Sequence, residues 1–145
     1  MLASQKKLEF TFECAEEKIM IKADEQRLRQ VILNLIENSI KYTEKGFVKV
    51  KCQMSDVSAE GGSASGGKGQ KSVLFSVSDS GLGIKKEVLP EIFDQFKRAK
   101  EARQIQGTGL GLFIAREIVK AHNGEIWAES EGEGKGSRFY ARLGI

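Results

Sequence analysis

Apolar and polar side chains alternate from Leu8 to Cys14 (Leu-Glu-Phe-Thr-Phe-Glu-Cys), the period of a half-buried strand. Ile19, Met20 and Ile21 predict a second short strand, paired with the first through a turn at 15–18. The period then changes. Leu28, Val31, Ile32, Leu35, Ile36 and Ile40 form one broad apolar stripe on a helix from about Glu25 to Tyr42, with Asp24 as its N-cap. Gly46 ends that helix, and Phe47–Met54 and Ser72–Asp79 return to strand patterning. The segment 55–72 between them is polar and rich in glycine and serine, which predicts a flexible hairpin connection. Residues 85–96 predict a short helix broken by Pro90, with Ile92, Phe93 and Phe96 on its apolar side. A second long helix runs from Phe113 to about His122. Leu110, Ile114, Ile118 and Ala121 recur along it at helical spacing, and Asn123-Gly124 caps its end. Glu125–Ser130 and Ser137–Leu143 read as two final strands joined by the glycine-rich turn 132–136.

Strand pairs with helices segregated between them predict an α+β fold, a two-layer α/β sandwich with a mixed, mostly antiparallel sheet and the helices on one face. No repeat or composition boundary interrupts the pattern, so 1–145 reads as a single domain. The net charge of +3, from 23 basic and 20 acidic residues, gives no global field for nucleic acid. No apolar run approaches the roughly 18 residues that span a bilayer, and no signal peptide is visible, so the domain itself is expected to make no membrane contact. Met1 is read as an introduced start on a domain cut from a longer parent. Cys14 and Cys52, without a CxxC or a Cys/His cluster, read as reduced, buried thiols rather than a zinc site or a disulfide.

Three places depart from what packing alone asks for. Gly107-Thr108-Gly109-Leu110-Gly111-Leu112 opens the second long helix. A glycine-rich turn lets backbone approach a ligand without Cβ obstruction, and the helix start offers free N–H groups at the positive end of its dipole, a combination that binds phosphate. Such glycines can also be no more than a flexible turn. On the first helix Asn34, Asn38 and Lys41 fall on one line with Tyr42 beside them. Asparagine is a mediocre helix former, so two of them one turn apart in mid-helix want a reason. An exposed polar face is one. The other is that amide oxygens suit a hard cation while a lysine and a tyrosine meet a phosphate and a ring; Mg²⁺ takes few protein oxygens when phosphates supply the rest. Asp79 ends a strand and leads into Ser80-Gly81-Leu82-Gly83-Ile84. A carboxylate there can accept a hydrogen bond from an exocyclic amine such as adenine's, with the glycines letting a ring lie against backbone. Between these, Lys97, Arg98, Lys100 and Arg103 against Glu101 make a basic stretch directly before the glycines. It is either a solvated face or a lid, over about 97–107, that closes on polyphosphate.

Taken in order, four motifs resemble the ATP-binding catalytic domain of sensor histidine kinases. Asn34-Leu35-Ile36-Glu37-Asn38-Ser39-Ile40-Lys41-Tyr42 is similar to that family's N box, and Asp79-Ser80-Gly81-Leu82-Gly83-Ile84 to its G1 box. Ile92-Phe93-Asp94-Gln95-Phe96 resembles the F box, and Gly107-Thr108-Gly109-Leu110-Gly111-Leu112 the G2 box. The likeness runs from Asp24 to Leu143. It implies the Bergerat-type (GHKL) sandwich shared with gyrase, heat-shock-90 and mismatch-repair ATPases, with ATP and Mg²⁺ as cofactors. It implies that Asn38 holds Mg²⁺, that Asn34 lies against the phosphates or the metal's water shell, and that Lys41 contacts phosphate. Tyr42 then lines the nucleotide side, Asp79 recognises the adenine amine, and Gly81, Gly83 and Ile84 frame the ring. Phe96 and Arg98 belong to the lid, Arg98 nearest the γ-phosphate, and residues Gly107, Thr108, Gly109, Leu110, Gly111 and Leu112 wrap the triphosphate. Asn34, Lys41 and Arg98 are the catalytic set.

The implied activity is transfer of the γ-phosphoryl group of Mg-ATP to a histidine on a separate dimerisation domain, in two-component signalling with a response regulator downstream. The implied location of the domain is cytoplasmic, with membrane anchoring of the parent left open. This chain lacks the acceptor domain. Its one histidine, His122, sits at a helix end and reads as structural, so the chain alone is not expected to autophosphorylate. A regulatory nucleotide reader and a hydrolysing GHKL ATPase remain as rivals. The hydrolysing class places a glutamate base four residues before the metal asparagine, where this chain has Asn34. A dinucleotide-binding dehydrogenase would need G-x-G-x-x-G straight after a strand, and the spacing here is G-x-G-x-G after a charged segment.

Overall fold

The computed structural model describes residues 7–14, 21, 23–56, 71–94 and 110–144. Five strands and two helices follow one another as β1 (Glu9–Cys14), α1 (Glu25–Lys41), β2 (Phe47–Asp56), β3 (Lys71–Asp79), α2 (Gly111–Ala121), β4 (Glu125–Glu129) and β5 (Ser137–Gly144). The strands form one sheet in the order β1-β2-β3-β5-β4. Only β1 and β2 run parallel; β2–β3, β3–β5 and β5–β4 are antiparallel. The sheet is therefore mixed and mostly antiparallel, as the strand order implied. The second strand expected at 19–21 falls, apart from Ile21, outside the described residues, and so do 57–70 of the expected hairpin connection.

Alternation decides which face is covered. Along β5 the side chains of Ser137, Phe139, Ala141 and Leu143 are buried while those between them reach solvent. Val48, Val50, Val73, Phe75 and Val77 add the same face of β2 and β3 to the core. Val31, Leu35 and Ile40 of α1 and Ala115, Ile118 and Val119 of α2 close over it. Leu35 is 0% exposed at the centre. Phe10 and Phe12 of edge strand β1, in register with buried Val48 and Val50, are 44% and 62% exposed. Cys14 on the same strand is exposed and Cys52 intermediate, so these thiols are not both buried as their strand setting suggested.

Three other expectations shift. Of the span 85–96, the described residues 85–94 hold one 3₁₀ turn, Leu89–Glu91, instead of a short helix. Pro90 has no N–H to extend an i→i−4 ladder, and the backbone settles for Glu91 N–H to the Val88 carbonyl at 2.9 Å and Asp94 N–H to Glu91 at 3.0 Å. Phe93 still packs inward, edge-on to Phe139 with ring centroids 6.5 Å apart. Helix α1 is capped by Tyr42, and Gly46, at φ +113°, turns the chain into β2 rather than ending the helix. Ala121 closes α2 on its exposed side.

The two helices are antiparallel and locked at one end by His122. Its Nε2 accepts the Asp24 backbone N–H at 3.1 Å, and its Nδ1 lies 2.8 Å from the Ile118 carbonyl. That pairing assigns the ring proton to Nδ1 and ties the end of α2 to the N-cap of α1. Asn123, in the left-handed region at φ 59°, then lets the Gly124 N–H reach back to the Val119 carbonyl at 2.9 Å. Replacing His122 with alanine deletes both ring contacts, and urea unfolding should show a loss of about 1–2 kcal/mol. An unchanged midpoint would rule out the latch.

Candidate functional site

Asp79 is the last residue of β3, opposite Val48 on one side and Ser137 on the other. Only 6% exposed, its carboxylate is held from three directions. Oδ1 accepts the Gly81 N–H at 2.9 Å and the Ser137 N–H at 3.2 Å, and Oδ2 accepts the Ser137 hydroxyl at 2.9 Å. The fully buried Ser39 hydroxyl faces the same carboxylate and favours its charge, though it falls short of full hydrogen-bond geometry. Burial nevertheless dominates and pushes the Asp79 pKa above the ordinary carboxylate value, against the pull of these donors.

The turn after Asp79 folds onto the end of α1. Leu82 N–H donates to the Tyr42 carbonyl at 3.0 Å. A Cβ on Gly81 would strike that carbonyl and the Thr43 hydroxyl, which is why glycine stands here. Thr43 is itself pinned, its hydroxyl donating to the Ser39 carbonyl at 2.7 Å. Gly83, at φ +73°, lets the chain double back so that the Ile84 N–H meets the Ser130 hydroxyl at 2.9 Å, with the Ile84 side chain buried. Tyr42, Gly81, Gly83, Ile84 and Asp79 are thus assembled at one place.

The other end of the site lies one to two turns back along α1. Asn34 Nδ2 donates to the Gly111 carbonyl at 3.0 Å, joining the polar line of α1 to the first residue of α2. Asn38, half-buried, is one turn further on, and the half-buried Lys41 follows in the last turn. Leu110 is the N-cap of α2 and supplies no side-chain hydrogen bond to the first-turn N–H groups; Gly111 and Leu112 begin the helix. The helix thus presents the positive end of its dipole beside Asn34. Phe96, Arg98, Gly107, Thr108 and Gly109 lie outside the described residues. Ser137, Ser39 and Thr43 were not anticipated. Ser137 and Asp79 are far apart in sequence and only the β3–β5 register brings them together.

The donors on offer are amide oxygens, a carboxylate, hydroxyls and helix-start N–H groups. Among the described residues no three or more histidine, cysteine, aspartate or glutamate side chains cluster to hold a metal. Sparse, hard oxygen donors beside an anion site suit Mg²⁺ carried in with phosphates.

The family described as histidine kinase-, DNA gyrase B-, and HSP90-like ATPase matches residues 23–145. Hybrid signal transduction histidine kinase D of Dictyostelium discoideum is 41% identical over 138 residues, which is 86% of this chain and 9% of that protein. The chain therefore spans a small part of that relative's length. The solved catalytic domain of histidine kinase ThkA superposes with a TM-score of 0.75 at 31% identity, covering 98% of this chain and 83% of that one. ThkA has also been solved in complex with the response regulator protein TrrA. Full-length ShkA in complex with AMPPNP gives 0.73 at 30% identity, with 98% and 26% covered.

Asp79→Asn keeps an acceptor for the two backbone N–H groups and removes the buried charge. Because burial raises the folded-state pKa above 3.8, ionisation of Asp79 subtracts stability as pH climbs from that value through the folded pKa. The variant should melt above the parent at pH 7, and the gap should close at or below pH 3.8. A variant that melts lower at pH 7 contradicts this balance.

Proposed function

The chain belongs to the histidine kinase-, DNA gyrase B- and HSP90-like ATPase family, and we propose that this domain binds Mg-ATP and presents the γ-phosphoryl group to a histidine on a separate phosphoacceptor domain. The observation that carries this reading is the bond from Asn34 to Gly111, which brings the polar line of α1 to the start of α2. Asp79 accepts from the adenine amine at one end of the cleft. The first-turn N–H groups of α2 take phosphate oxygens at the other. Gly111 fits that role, since among the described residues an added Cβ would meet only the Asn34 side chain, at an ordinary 3.9 Å, so packing against them does not demand glycine there. An approaching phosphate does.

Asn38, between the two ends, holds the cation through its amide oxygen. Bound there, Mg²⁺ neutralises charge on the phosphate oxygens. Lys41 contacts phosphate, and Phe96 and Arg98 act from the lid, Arg98 toward the γ-phosphate. Asn34, its amide nitrogen committed to Gly111, orients the phosphates or the metal's water through its oxygen. An amide has no useful basicity, so this position supplies no base to activate water. Catalysis is then positioning and charge neutralisation, with the nucleophile brought by the acceptor domain and the phosphoryl group passed on to a response regulator.

Two measurements test this. Asn38→Ala should reduce Mg-dependent ATP affinity at least about tenfold in calorimetry, as loss of a charge-linked ligand of about 1.4 kcal/mol or more requires; unchanged affinity would contradict the metal assignment. Incubated with γ-labelled ATP and an acceptor domain from a kinase whose own catalytic domain is known to label it, the chain should produce acid-labile label on the acceptor histidine. Tight ATP binding without label, with the acceptor shown competent, would instead mark a regulatory nucleotide reader.

A further inference from the structure

Cys14 and Cys52 are the two cysteines of the chain and stand directly opposite one another in the parallel β1–β2 ladder. In-register residues of a parallel pair project from the same face of the sheet, on strands about 4.8 Å apart. Disulfides accept Cα separations of about 4.4–6.8 Å. The side chains interact directly: a thiol–thiol hydrogen bond and the neighbouring sulfur join burial in lifting the Cys52 pKa to about 11. The pair is also asymmetric. Cys14 is exposed at the end of an edge strand, whereas Cys52 packs partly buried against the core.

We propose that Cys14 and Cys52 form a thiol modification site, oxidised by hydroperoxides to a disulfide that staples the edge strand β1 to β2. Cys14, the accessible sulfur, attacks the terminal peroxide oxygen; the O–O bond breaks, Cys14 becomes a sulfenic acid, and hydrogen peroxide leaves as water. The Cys52 sulfur then attacks the Cys14 sulfur, the S–O bond breaks, and a second water departs. Two thiols lose two electrons and two protons, and the peroxide is reduced to two waters. Cys52 is a sluggish nucleophile because its thiol is held protonated, but it attacks a neighbour already in contact, so proximity offsets the small thiolate fraction. Reduction by an excess of small dithiol reverses the reaction.

The site lies away from the nucleotide cleft. Asp79 pairs with Val48 at the start of β2, and Cys52 stands further along that strand. The bond would fasten the one strand that carries exposed Phe10 and Phe12.

Treatment of the purified chain with a few equivalents of hydrogen peroxide should remove both free thiols. The protein should stay monomeric, lose the mass of two hydrogens, and yield one cross-linked peptide joining Cys14 to Cys52. Dithiothreitol should restore both thiols. The oxidised form should melt several degrees higher, since closing the loop restricts the unfolded chain. Cys52→Ser should stop at a Cys14 sulfenic acid that dimedone traps, and Cys14→Ser should form no intramolecular bond. Thiols that survive, that advance only to sulfinic or sulfonic acid, or that link only between molecules would overturn the proposal, as would an oxidised form no more stable than the reduced one.

Discussion

The bond between the Asn34 amide nitrogen and the Gly111 carbonyl sets the distance on which the rest of the cleft depends. Helix α1 has to satisfy two surfaces at once. Its apolar stripe, centred on Val31 and Leu35, fixes it to the sheet, while the line through Asn34 and Asn38 faces the start of α2. Rotation that improved one face would ruin the other. His122 fastens the opposite ends of the same two helices through the Asp24 N–H, so the pair is held at both ends by single hydrogen bonds across a packed seam. A ligand that binds between these helices meets donors already spaced for it, which reduces the ordering that binding must pay for.

Asp79 shows the opposite tendency. A carboxylate that is 6% exposed would be better placed in water, and burial raises its pKa despite donors from Gly81 and Ser137. Those donors fix its two oxygens at a strand end, where Gly81 and Gly83 keep the following turn close to α1. A buried acid whose ionisation is disfavoured on balance, with its oxygens held in place by neighbouring donors, is the arrangement expected where specificity has been kept at the expense of stability. On the proposed reading the group it is aimed at is the exocyclic amine of adenine.

Much of this was legible because the relevant signals are periodic or local. The stripe of α1, its Asp24 cap and the two out-of-place asparagines could be read along a single helix, and so could the Asp-x-Gly-x-Gly turn. What depended on pairing could not. Alternation places Leu8–Cys14 in a strand without saying which neighbour it takes, so neither the parallel match to β2 nor the meeting of Cys14 with Cys52 was foreseeable. Ser137 joins Asp79 only through the β3–β5 register. At Pro90 the apolar phase of Ile92 and Phe93 outweighed the missing N–H in the sequence reading, whereas backbone hydrogen bonding decided the structure. Phe96, Arg98, Gly107, Thr108 and Gly109 lie outside the described residues, so their expected roles rest on the sequence alone.

Asn34 also bears on which reaction the cleft favours. A hydrolase in this family needs a group that takes a proton from water beside the γ-phosphate; on the proposed reading Asn34 stands there instead, with an amide committed to the α2 backbone. Converting it to an acid would change more than basicity. A glutamate there could not donate to the Gly111 carbonyl, and the start of α2, which is to hold phosphate, would lose its anchor to α1. On the proposed reading the same substitution that would equip the site for water would loosen its grip on the triphosphate. On that reading the Asn34–Gly111 bond ties phosphate positioning to the absence of a base, which favours transfer to an external nucleophile over hydrolysis.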